Sequence, residues 1–238
     1  MPNKKITRSG IGCVIIMILL ALAVVYPLIN NAIGSSPTVF LKYKGRNIWL
    51  AISAANTEQD LLGKPMLWPT DLEAYLGKPF ESAEAYFTFL ISDGESGKIE
   101  HDPEKRIVYD LKPSILMGPG LIAATGPNLP PNANAWHVVC VGEKSLVETP
   151  FLITRNVKAS EIRYPSKAEL DGWLDATHVL PMNKKIKPFG NKRAVWITRG
   201  GNAFDARQKY LTRARVVPVA QPEGEAELRV LPSIGGYP

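Results

Sequence analysis

The chain has 238 residues, 45% of them hydrophobic, and a formal net charge of +6. Lys4, Lys5 and Arg8 carry +3 of that charge, and the +3 left for the rest is too small to argue for nucleic acid. Two cysteines, Cys13 and Cys140, exclude a disulfide framework.

The first predicted element is the run Ile11 to Ile29, IGCVIIMILLALAVVYPLI, without a single charge. As a helix it would reach about 28 Å, close to one hydrocarbon core. Three readings stay open for it. A retained anchor would keep the basic flank in the cytoplasm and place the C-terminal domain outside. A cleaved secretory signal needs a shorter apolar core and a small-x-small site, whereas the candidate site before Ile33 has Asn30 at its −3 position. The third is a leader of prepilin type, cut after Gly10. Pro27 removes one backbone donor, so a kink or a helix end near Tyr26 is expected.

Gly34-Ser35-Ser36-Pro37 interrupts the pattern, with Ser36 as helix cap and Pro37 at the first helical position. From Thr38 to Leu62 there is no proline and one glycine, Gly45. Phe40, Tyr43, Asn47, Leu50, Ala51, Ala54 and Leu61 recur at helical spacing. A second stripe, Leu41, Ile48, Ile52 and Ala55, reads as a widening of that face, with Lys42, Lys44, Arg46 and Glu58 opposite. Gly63 and Pro65 stop the helix. This is a stalk with one side for packing.

Short helices are expected over Asp71 to Leu76 and Glu81 to Ile91. Lys98 to Pro131 reads as a long surface excursion, with brief strands around Ile107 to Leu111 and Leu121 to Ala124. From Ala135 the period becomes two. Strands are predicted over Trp136 to Val141, Phe151 to Thr154 and Arg193 to Thr198, and a short helix over Lys167 to Ala176. Arg199-Gly200-Gly201-Asn202 is a hairpin turn returning through Phe204 to Leu211. After Thr212 an irregular tail is expected, with an edge strand at Leu228 to Leu231. The domain plan is thus a basic leader 1–10, a transmembrane helix 11–33, an amphipathic stalk 34–63, a globular α+β domain 64–212 and a tail 213–238. The fold class is α+β, a long N-terminal helix packed on an antiparallel sheet.

Residues that carry chemistry are sparse. His101, His137 and His178 stand apart without metal-ligand spacing, and a satisfied or surface histidine is the better reading for each. Cys140 alternates within an apolar strand, as a small buried hydrophobe does. Asp93, Glu95, Glu100, Asp102 and Glu104 cluster in a loop, a calcium candidate that lacks the alternating oxygen ligands and central glycine of a helix-loop-helix site. No nucleophile elbow, phosphate loop or dinucleotide fingerprint occurs. No catalytic set, metal site or cofactor site is therefore assigned.

Lys44-Gly45-Arg46-Asn47-Ile48, Ala54-Ala55-Asn56-Thr57-Glu58 and Leu67-Trp68-Pro69 begin a series of short motifs. It continues through Asn134-Ala135-Trp136, Thr149 to Asn156, Phe189 to Val195, Gly200-Gly201 and Gln208 to Thr212. In this order they resemble bacterial type II secretion pseudopilins and type IV pilin-like proteins, over most of residues 40 to 212. KKITRSG before IGCVIIM resembles the leader of those families, with Gly10 and Ile11 flanking the cleavage point of prepilin peptidase. It departs from them at Ile11, where phenylalanine is usual, and at Ile15, where glutamate is.

The resemblance implies a pilin-like fold and a subunit, atypical or minor, of a pseudopilus or pilus-like filament. It would sit in the bacterial inner membrane, crossing once, with its domain in the periplasm. Partners would be other pilin or pseudopilin subunits, the inner-membrane platform, the prepilin peptidase and membrane lipid, and no nucleic acid. Gly12, Ile15, Ala21, Ala23 and Pro27 form the candidate helix-assembly face, since small residues allow helices to approach closely in lipid. The competing reading is a membrane-anchored periplasmic binding module that does not polymerise. An anchored enzyme is the third.

Overall fold

The computed structural model describes residues 37–92, 107–108, 111–126, 128–166, 169, 178–218 and 228–238. The apolar run, the leader and the acidic loop cluster lie outside the described residues. Two compact units divide the chain, Met1–Val39 and Phe40–Pro238. The fold is that of the second.

Residues 37–61 are helical and form α1. The helix ends where Gly63 turns left-handed, at φ 63°. Lys64 N–H then reaches back to the Gln59 carbonyl at 2.9 Å, which occupies one of the orphaned terminal carbonyls. Asn56 near this end accepts from Leu67 N–H at 2.6 Å, and Tyr86 donates to the Leu67 carbonyl at 2.8 Å. Helix end, linker and the segment that carries Tyr86 are thereby tied together.

Pro69–Leu76 forms α2, with proline in its first turn and Gly77 as left-handed cap. Ala83–Ile91 forms α3, whose N-cap Ser82 accepts from Ala85 N–H at 3.1 Å. A single helical turn, Pro113–Leu116, is α4. The strands β1 (Trp136–Val139), β2 (Pro150–Thr154), β3 (Arg193–Thr198), β4 (Ala203–Arg207) and β5 (Val230–Leu231) make one antiparallel sheet, in the order β4-β3-β2-β1-β5. Arg213–Val216 is a further helical turn, α5. Four strands run as a meander, and the fifth returns from the C-terminal region to close the edge beside β1.

Alternation sorts the sheet into two faces. Trp136 and Val138 of β1, Leu152 of β2 and Val195 and Ile197 of β3 share one face by register. α1 covers it. Gly45 makes that possible: a Cβ there would stand 2.6 Å from Ile197 Cγ1 and 2.9 Å from Trp136 Cη2. Leu41, Ile48 and Ile52 flank Gly45 and are fully buried. Burying each contributes about 1.5–3 kcal/mol. Trp49 lies over Gly201 of the β3–β4 turn and donates its indole N–H to the Arg199 carbonyl at 2.6 Å. α1 therefore runs alongside β3, from Arg193 toward Arg199.

Several expected boundaries move. Thr154 still ends β2, while β1 stops at Val139: Cys140 N–H still reaches the Arg229 carbonyl at 2.8 Å, and Val141 N–H then turns back to the Val139 carbonyl at 2.9 Å. β4 ends at Arg207 rather than Leu211, since Gln208–Tyr210 tightens into a 3-10 turn. Leu121 to Ala124 is not a strand. Leu121 N–H bonds the Gly118 carbonyl at 3.1 Å and Ile122 N–H that of Asn132 at 3.2 Å, so the segment turns instead of pairing with the sheet. Ile107 and Val108 fold back onto the end of α3, bonding the carbonyls of Ser92 and Leu90. The expected helix Lys167 to Ala176 falls outside the described residues except Glu169. Of the expected irregular tail, Val230–Leu231 is an edge strand and Val216, Val217, Leu231 and Ser233 are buried.

Candidate assembly surface

α1 has two apolar stripes, and the sheet takes only one of them. At 3.6 residues per turn, the line Leu41–Gly45–Ile48–Ile52 and the line Phe40–Tyr43–Leu50–Leu61 lie on roughly opposite sides of the helix. The second line is not an extension of the first. Tyr43 is 66% exposed, Leu50 48% and Leu61 82%. This corrects the expectation of one broad packing face. Of the other residues of that stripe Ala51 is buried and Asn47 half-buried, so the packing face reaches as far as these, and Leu50 and Tyr43 are left turned outward.

Polar residues hold α1 in place along its flanks. Lys42 Nζ meets Asp205 Oδ1 at 2.7 Å, and Arg193 meets the other oxygen of the same carboxylate at 2.9 Å. Both pairs are partly solvated, so each contributes only about 0.2–1 kcal/mol and mainly fixes orientation. Lys44 donates to the carbonyls of Ser114 and Met117 at 2.7 and 3.2 Å, and its ammonium also stands 4.5 Å from the Phe40 ring centroid. The outward stripe is thus a row of apolar side chains on a helix that is fixed at its back. Exposed apolar side chains in a row on one side of a fixed helix are a candidate contact surface.

A buried polar network closes the opposite part of the domain. Glu84 of α3 is 3% exposed and accepts from Ser233 Oγ at 2.6 Å, Ile234 N–H at 2.9 Å and Asn134 Nδ2 at 3.3 Å. Arg155, just past β2, donates to the carbonyls of Asn134 and Lys187 at 3.2 Å each and to Asn132 Oδ1. Burial lowers the Arg155 pKa, and the negative charge of Glu84 opposes that shift. The segment after β5 is clamped in turn: Tyr237 N–H reaches the Arg155 carbonyl at 2.8 Å, and Ala159 N–H reaches the Tyr237 carbonyl at 3.0 Å. Charge-assisted bonds of this kind are the stronger sort, and removing one partner leaves a buried group unpaired.

His137 sits inside this network, fully buried in β1. Ser233 N–H donates to its Nδ1 at 2.9 Å, so Nε2 carries the proton and donates to the Val157 carbonyl at 3.0 Å. Both ring nitrogens are committed. Burial pulls its pKa down to about 4. Cys140 is half-buried, and burial pushes its thiol up to about 12, far from a nucleophile's range. His178 is exposed.

Among the described residues, His137 and His178 are not joined with Cys140 into a reacting set. Among the described residues no group of histidine, cysteine and acidic side chains could hold a metal ion. Gly10, Ile11, Gly12, Ile15, Ala21, Ala23 and Pro27 lie outside the described residues, as do His101 and the acidic loop Asp93, Glu95, Glu100, Asp102 and Glu104. Among the described residues no helix is long and apolar enough to cross a membrane. The residues that sequence reasoning missed are Glu84, Arg155 and Ser233. Their one signal is a charged residue set among apolar neighbours, as in Ala83–Ile91, and it says nothing of partners 50 or 150 positions away. Comparisons with known protein families, curated proteins and solved structures return no match.

Proposed function

We propose that this chain is a structural subunit, atypical or minor, of a bacterial type II secretion pseudopilus or type IV pilus-like assembly. It is held in the inner membrane by Ile11 to Ile29, with its α+β domain in the periplasm. One observation carries the reading: α1 is apolar on two sides, and one of those sides has no partner within the described residues of its own domain. A helix that only supported the sheet would be polar on its outer side. Phe40, Tyr43, Leu50 and Leu61 instead offer a row that a second helix of the same kind could fill. The order of short motifs from Lys44 to Thr212 and the basic leader ending at Gly10 support the same reading.

Photo-crosslinking in native membranes tests it. A crosslinker at Leu50 or Leu61 should give ladders of self-adducts, while one at the buried Ile48 should give none. A single heterologous adduct without ladders would instead establish an anchored binding module. Mass spectrometry of the mature chain adds an independent check: a start at Ile11 fits processing as a prepilin, and an intact Met1 counts against a filament role.

A further inference from the structure

Six exposed cations of the domain are gathered at one end. Between Pro181 and Leu211 the lone carboxylate is Asp205, which Lys42 and Arg193 already engage. Lys184, Lys185, Lys187, Lys192, Arg207 and Lys209 are all exposed. The fold collects them. Arg193 and Arg207 are register partners across β3 and β4, and Gln208 N–H reaches the Lys192 carbonyl at 3.4 Å. The loop before β3 is folded onto the same end: Asn156 Nδ2 holds the carbonyls of Gly190 and Arg193 at 2.6 and 2.8 Å. Glu161 is taken up by Arg213 and by Lys158.

This is the end at which the chain enters the domain. Pro188 and Leu41 crowd the same residue, Gly118, so the lysine loop lies beside the first turns of α1. Tyr43 is exposed on those turns, and Tyr210 is exposed beside Lys209, whose ammonium stands 4.6 Å from its ring. Tyrosine is enriched at headgroup level, where long cationic side chains also reach. The far end, around the β3–β4 turn and the end of α1, is different. Glu58, Asp60, Glu143 and Glu148 are exposed there alongside Lys64 and Lys144. The domain is thus polarised along α1, cationic where the chain enters and anionic where α1 ends.

We infer that the cationic end is a docking face for anionic phospholipid headgroups, seating the domain on the membrane in which the proposed function anchors it. The inference rests on that reading for its geometry, since the apolar run precedes α1 by only a few residues. Each cation close to an anionic surface strengthens contact about fivefold, and salt removes the effect. Six together are enough to hold the domain down.

Full-length chain carrying a dye at Asn191→Cys, with Cys13→Ser, is placed in vesicles of neutral phosphatidylcholine or with about 30% phosphatidylglycerol, at roughly 0.05 or 0.5 M salt. Acrylamide should quench the dye severalfold less in the anionic vesicles at low salt. The protection should vanish at high salt and in the variant K184Q/K185Q/K187Q/K192Q, whose changes touch only exposed side chains. Equal quenching in both lipids, or protection that survives in the variant, overturns the docking face. So does protection produced by a single-stranded oligonucleotide on neutral vesicles when anionic lipid produces none. Flotation separates this from the anchor. A chain that floats with anionic vesicles alone, at low salt alone, refutes the anchor and sustains the face. One that floats with neither refutes both.

Discussion

Acid should destabilise this domain through His137, and the size of the effect follows from its burial. The imidazole is neutral in the fold, with a pKa of about 4 against an ordinary 6.5. The unfolded chain therefore takes up the proton first as pH falls. Sign and window follow: the contribution is fully present above about pH 6.5 and drains away as pH falls toward 4. The slope is about 1.4 kcal/mol per pH unit, and the total is on the order of 3 kcal/mol. Against a typical domain stability of about 5–15 kcal/mol that is a large share.

The geometry accounts for it, since a second ring proton would confront the Ser233 N–H that now donates to Nδ1. Urea unfolding of the full-length chain in nanodiscs measures the effect, with the buried Trp136 and Trp196 as fluorescent reporters. His137→Gln should be less stable at neutral pH, by about 1–3 kcal/mol, because a buried partner is lost. Between pH 6.5 and 4 its stability should change much less than that of the parent. A variant that keeps the parent's slope would refute the reasoning, whatever its stability at pH 7.

Three further outcomes are expected. Gly45→Ala gains up to about 1 kcal/mol in helix propensity yet should lower the midpoint of unfolding, because overpacking against Ile197 and Trp136 costs about 1–3 kcal/mol. An unchanged or raised midpoint would mean that α1 sits further from the sheet. Glu84→Gln should free the segment after β5 by weakening the bonds from Ser233 and Ile234, seen as faster amide exchange at Ile234, Gly236 and Tyr237. Cys140 should resist a thiol reagent at pH 8 in the folded Cys13→Ser chain and react promptly in urea, since its folded-state thiol titrates near 12.

Local order and long-range order were legible to different degrees. Arg193 to Thr198 and the Gly200-Gly201 turn could be read because strand alternation and turn chemistry are properties of neighbours in sequence. The helical span from 38 to 62 was equally plain. Which side of that helix meets the sheet was not. Both stripes are apolar, and the decision rests on Gly45, whose missing side chain matters only against Ile197 and Trp136, about 150 and 90 positions further on. The spacing of Leu41, Gly45, Ile48 and Ile52 contained a hint, a glycine centred in a line of large residues. Glu84 and Ser233 were invisible for the same reason. Their pairing spans 149 residues and leaves no periodic trace. The place of the lysine loop beside Leu41 emerges only with the fold.

The alignment of α1 with β3 has a mechanical consequence. Gly45 meets Ile197 and Trp136 of the sheet between the buried Leu41, Ile48 and Ile52, with Lys42 pinned to Asp205 at one end and Trp49 to the Arg199 carbonyl further along. A pull applied along the helix axis meets all of these at once, in shear, and none can give way before the others. A sideways pull on the end of α1 would part them one after another, as a zipper opens. The domain is therefore stiff in the direction in which its helix would transmit force and weak across it.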